Sequence, residues 1–156
     1  MIGILTKENI YTLMIEISSK KNSNVYWYKD NNLELGIEKL KEKNCNIIIT
    51  NQDYSNINDN SIKFISLNIA SNNNEYILDS EELLNAINNH NEQEVLNILQ
   101  NLDIPNDKDI LITNTNIVLI KHLVEEIFPN KVKTINDIIL NEIPESNEDG
   151  EIYLIN

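Results

Sequence analysis

Short β-branched runs alternate along this chain with longer segments whose apolar residues recur at helical spacing. That alternation is the pattern of a parallel sheet covered by helices. Ile2 to Thr6 (IGILT) reads as a buried first strand. Glu8 to Lys20 then carries Ile10, Leu13, Met14 and Ile17 on one helical face. Val25 to Tyr28 (VYWY) is a second strand, and Asn32 is placed to cap a helix over Leu33 to Lys43. Asn46 to Thr50 (NIIIT) is an uninterrupted apolar run of the kind found in central strands. Lys63 to Asn68 reads as a fourth strand, after a polar loop from Gln52 to Ser61.

The second half repeats the alternation. Tyr76 to Leu78 is a short strand candidate, and a helical region starts at Asp79 or Ser80 and runs to Leu102, with a break near Asn88 to Asn91. Asp109 to Thr113 is a strand, Thr115 to Ile127 a helix, Lys131 to Ile135 a strand and Asn136 to Glu142 a short helix. An acidic turn, ESNEDGE, precedes a last apolar run, IYLI. The expected fold is a three-layer α/β/α domain over residues 1–156, with a mainly parallel sheet of about five strands in flavodoxin-like or racemase-like topology.

Composition narrows the function classes. At 156 residues the chain suits one ordinary domain. Its formal net charge is −13, and all 12 basic residues are lysine. A field of that sign repels nucleic acid and anionic membrane, and arginine, the residue best suited to bidentate phosphate contacts, is absent. No apolar run approaches the roughly 20 residues of a membrane span, and MIGILTKENIY lacks the pattern of a signal peptide. Cytoplasmic residence is the expectation. The single Cys45 excludes an internal disulfide and a multi-cysteine metal site, and it reads as a small, partly buried residue. Abundant Asn, Ile and Lys fit the codon bias of an AT-rich genome.

Ligands of open parallel sheets bind beyond the carboxyl ends of strands. The loops there are Thr6-Lys7-Glu8, Thr50-Asn51-Gln52-Asp53 and Asn114-Thr115-Asn116. Their amides and hydroxyls suit a carboxylate or amide ligand and cannot by themselves abstract a carbon-bound proton. Thr and Asn also serve as helix caps, and Asn114 or Thr115 is equally open to that role. A Gly-rich phosphate loop is missing after the first strand, and the acidic positions of a phospho-receiver are not matched. His90 and His122 read as surface residues, and Glu145, Glu148, Asp149 and Glu151 as a solvated acidic turn without the spacing of a calcium loop.

The stretch DILITNTNIVLIKHLVEEIFPNKVKTINDIILNEI resembles the closing part of aspartate/glutamate racemases, with a strand ending in a Gly-Cys-Thr-His-type motif and a helix ending in an Ile-Phe-Pro-Asn-like turn. MIGILT is similar to that family's opening strand, and EKLKEKNCNIIITNQDYS to the segment carrying its Cys-Asn-Thr motif. The resemblance implies a cofactor-independent site in which two opposed cysteines exchange protons with an amino acid. Here the first cysteine falls on Thr50, beside Asn51, and the second on Asn114, beside Thr115 and Asn116. Both acid/base groups are replaced, so the resemblance implies a non-catalytic relative. It would hold a small carboxylate or amino acid through Thr6, Thr50, Asn51, Asn114, Thr115 and Asn116, without metal or cofactor. A homodimer is compatible with this reading. A weaker similarity, through LELGIEKLKEKNCNIIIT, is to the sensor domains of propionate-catabolism activators. The alternative is therefore a sensor or protein-interaction module acting through an acidic surface.

Overall fold

A computed structural model describes residues 1–155. The order of elements is β1 (Ile2–Leu5), α1 (Tyr11–Lys21), β2 (Val25–Tyr28), α2 (Leu33–Glu42), β3 (Ile47–Thr50), β4 (Lys63–Ser66), β5 (Glu75–Ile77), α3 (Glu81–Asn88), α4 (Glu92–Gln100), β6 (Asp109–Ile112), a 3₁₀ turn (Ile117–Ile120), α5 (Lys121–Ile127), β7 (Val132–Thr134), α6 (Ile135–Leu140) and β8 (Ile152–Ile155). The chain is thus mixed α/β, as the alternation of patterns predicts. It divides into two compact units, one of residues 1–68 and 139–156 and the other of residues 69–138.

The first unit holds a five-stranded sheet in the order β4-β3-β1-β2-β8, parallel throughout. The crossover through α1 leads from β1 outward to β2, whereas that through α2 leads from β2 back across β1 to β3. Right-handed connections running in opposite directions put their helices on opposite faces of the sheet, which makes three layers. Strand periodicity agrees with this. Gly3 and Leu5 share one face of β1, and a Cβ at Gly3 would meet Leu40 of α2 at 2.9 Å. Leu5, Ile37, Leu40, Cys45, Ile48 and Ile62 form the core on that side. Every residue of β1 and β3 is buried, as expected of central strands covered on both faces.

Polar side chains set the element boundaries. Asn32 accepts the Leu35 N–H at 3.1 Å and caps α2, as expected. The helix expected from Glu8 begins only at Tyr11, because Thr6 Oγ1 takes the Glu8 N–H at 3.1 Å and Asn9 Oδ1 takes the Tyr11 N–H at 3.1 Å. Asn22 and Asn44 end α1 and α2 at φ of 52° and 62°, doing in this glycine-poor chain what glycine usually does. The acidic turn before β8 is less solvated than its composition suggests. Glu148 Oε1 accepts the Asn24 N–H at 3.0 Å, Ser146 Oγ donates to the Asn22 carbonyl at 2.6 Å, and the Val25 N–H donates to the Glu151 carbonyl at 2.8 Å. These bonds seat β8 alongside β2.

The second unit has a three-stranded parallel sheet in the order β5-β6-β7. Glu75 and Asp109 are direct cross-strand partners, an unfavourable pairing of like charges. Lys133 of β7 resolves it, with Nζ 2.9 Å from Glu75 and 3.2 Å from Asp109. Ser80 caps α3 through the Leu83 N–H and Asn91 caps α4 through the Glu94 N–H, each at 3.2 Å. The helical break expected near residues 88–91 is this corner. Beyond β6, the segment expected to be helical from Thr115 starts as the 3₁₀ turn and becomes α-helical only at Lys121. The expected strands after Tyr76 thus form a sheet of their own, and the final apolar run IYLI is the fifth strand of the larger one.

Candidate functional site

The order of the five-stranded sheet reverses direction between β1 and β3, and a crevice beyond their carboxyl ends is where such sheets bind ligands. Leu5 is paired with Thr50 at that end, so Thr6, Thr50 and Asn51 come together there. Thr6 and Thr50 are both fully buried. Each hydroxyl oxygen accepts the backbone N–H two residues on, Glu8 for Thr6 at 3.1 Å and Gln52 for Thr50 at 3.0 Å. Two threonines thereby make the same tight turn at neighbouring strand ends. The Thr6 carbonyl accepts the Trp27 indole N–H at 2.9 Å, which ties the end of β1 to β2. Lys29 holds its ammonium 5.2 Å from the centre of that indole ring.

Asn51 is half-buried and its amide is engaged on both sides. Nδ2 donates to Glu8 at 3.3 Å, and Oδ1 accepts from Gln52 Nε2 at 3.4 Å. Its carbonyl accepts the Asn68 side-chain amide at 3.0 Å. Beside it opens a cleft of about 360 Å³ whose polar walls include Gln52, Asp53, Ser55, Ser66 and Asn68. The Ser55 N–H donates to Asp53 at 2.9 Å, and this bond first, with the Ser55 side chain second, holds the Asp53 carboxyl below the usual range. The carboxylate is therefore charged at neutral pH. Ser55, Ser66 and Asn68 carried no signal in the sequence, since isolated polar residues in polar loops look alike.

Asn114, Thr115 and Asn116 follow β6 in the other unit. Asn114 Oδ1 accepts the Asn116 N–H at 2.9 Å, and the Asn114 carbonyl accepts the Ile117 N–H at 3.0 Å. Asn114 is thus a turn-former that launches the 3₁₀ turn. Thr115 is buried, and its Oγ1 has no hydrogen-bond partner. Asn136, buried just after β7, is in the same condition at both its side-chain nitrogen and oxygen. Compared with protein-family models, curated proteins and solved structures, the chain matches none.

Other candidates resolve simply. Cys45 is buried just before β3, and burial pushes its thiol up to about 12, far from a reactive thiolate. Among the described residues no three His, Cys, Asp or Glu side chains converge as a metal ion would require. No helix among them is long and apolar enough to cross a membrane.

Proposed function

We propose that the chain is a non-catalytic binding protein for a small carboxylate, an amino acid above all, related in design to the aspartate/glutamate racemases. The observation that carries this reading is the placement of Thr6, Thr50 and Asn51 at the β1/β3 switch of strand order, beside a polar cleft. Amide and hydroxyl donors around the cleft suit a carboxylate, and the charged Asp53 suits an ammonium group. The two together favour a zwitterion over a simple dicarboxylate. None of these groups is a base at neutral pH strong enough to take an α-proton, so binding without turnover is the chemistry they support.

A thermal-shift screen of D- and L-amino acids and dicarboxylates tests the proposal. A ligand present at 100 times its dissociation constant stabilises the folded state by about 2.7 kcal/mol. The shift should vanish in Asp53→Asn for amino acids and persist for dicarboxylates. Absence of any shift across the screen overturns the reading.

A further inference from the structure

The two histidines of the chain, His90 in the α3–α4 corner and His122 in α5, line one cleft within the second unit. It is an open cavity of about 320 Å³ beside the α3–α4 corner and the start of α5. Ala86, Ile87, Val95 and Ile120 are all buried and supply an apolar floor, while His90, His122 and Glu92 are exposed at its rim. The size lies at the lower end of small-molecule sites, roughly 300–1,000 Å³, and an apolar floor with a few polar groups is their usual chemistry.

His90 is held firmly in place. Its φ is 54°, in the left-handed region where glycine is the low-strain choice. The Asn91 N–H donates to the Ala86 carbonyl and the His90 N–H to the Ile87 carbonyl, both at 3.0 Å, closing a two-bond helix end. Asn91 then caps α4. The imidazole therefore projects from a corner pinned on both sides, at a conformation a β-carbon adopts with some strain.

We infer that this cleft binds a small organic amine, its apolar body on the Ala86–Ile87–Val95–Ile120 floor and its ammonium group at the rim that carries Glu92, His90 and His122. A carboxylate offers only acceptors and an imidazole can offer an acceptor nitrogen, and an ammonium has only donors. The charge of the unit makes the same selection. Residues 69–138 carry twelve acidic side chains and four lysines, a field that draws in cations and repels a carboxylate of the same shape. This site is separate from the strand-end cleft of the first unit and does not depend on the amino-acid reading.

The test is an NMR titration of the full chain with 2-phenylethylamine, and with 3-phenylpropionate as its anionic counterpart. The imidazole ring signals of both histidines should move together and saturate with the amine, and stay in place with the acid. With the amine the indole N–H of Trp27 should stay in place, because it reports on the Thr6 end of the other unit. His90→Gly is the informative variant. It relieves the left-handed strain, so the protein should become more stable while amine affinity drops about tenfold or more. Glu92→Gln should weaken the amine, with only the small loss of stability that removing a first-turn carboxylate from α4 brings. Movement of only one histidine, a linear response without saturation, equal response to the acid, or undiminished affinity in His90→Gly overturns the inference.

Discussion

The indole N–H of Trp27, in β2, donates to the main-chain carbonyl of Thr6 at 2.9 Å, just past the end of β1. Thr6 is fully buried, so the carbonyl depends on protein partners. Trp27→Phe keeps an aromatic body and removes the donor. It should lower stability by about 1–2 kcal/mol in urea denaturation with an unchanged m-value. The wild-type Trp27 emission should respond to any ligand seated at the end of β1.

Leu5 and Gly36 set how closely α2 approaches the sheet. A Cβ at Gly36 would lie 2.4 Å from Leu5 Cδ1 and 2.6 Å from Cδ2. Leu5 is fully buried among packed side chains and has little room to retreat. In an exposed helix Gly→Ala gains about 1 kcal/mol, whereas overpacking a core costs roughly 1–3 kcal/mol. Gly36→Ala should therefore be destabilising overall. Pairing it with Leu5→Val should recover part of the loss, giving a non-additive double-mutant cycle.

Asp59 lies 2.7 Å from Lys41 and also accepts from Ser61. The Lys41 hydrogen bond first, then those from Ser61, lower its carboxyl from 3.8 to about 2. A depressed carboxylate contributes stability that is present above its unfolded value and is lost as pH falls through its folded one. The window is thus pH 3.8 down to about 2. Stability curves of wild type and Asp59→Asn should converge at the bottom of that window. Curves that stay parallel across it would rule out this linkage.

Lys133 bridges two carboxylates that face each other across β5 and β6. Its hydrogen bond to Glu75, then that to Asp109, raises its value above 10.5. The stability it brings is present below 10.5 and is lost as pH rises through the higher folded value. Lys133→Met leaves like charges opposed, so it should destabilise at neutral pH and be partly rescued near pH 4, where carboxylates begin to protonate. Chemical denaturation at the two pH values measures the difference.

Cys45 should be inert in the folded protein. With its value near 12, a negligible fraction is thiolate at pH 8, and burial blocks access. A disulfide reagent such as DTNB should react slowly under native conditions and rapidly in urea, with a native rate that follows unfolding.

Aspartate and glutamate should undergo no exchange of the α-proton in D₂O with this protein. Thr50 and Asn114 stand where the racemase resemblance implies two cysteines. Each acid/base group typically contributes 10²–10⁴-fold, so without both the rate should stay at background. Deuterium incorporation followed by proton NMR checks this directly.

The local elements were legible because their causes are local. Uninterrupted apolar runs such as IIIT, helical stripes such as Leu33–Ile37–Leu40, and the cap at Asn32 act within a few residues. The strand-end loops holding Thr6, Thr50 and Asn51 were legible for the same reason. Which strand joins which sheet was not, because IYLI carries no mark of its partner. Its place beside β2 rests on bonds from Glu148, Ser146 and Glu151 to residues 22–25, more than a hundred positions away. The sequence by itself determined an alternating α/β chain with polar strand ends and an acidic surface. Only the tertiary structure decided the division into two sheets, the paired turns at Thr6 and Thr50, and the placing of His90 and His122 on one cleft. Those depend on long-range pairing and on a left-handed corner, which no spacing along the chain encodes.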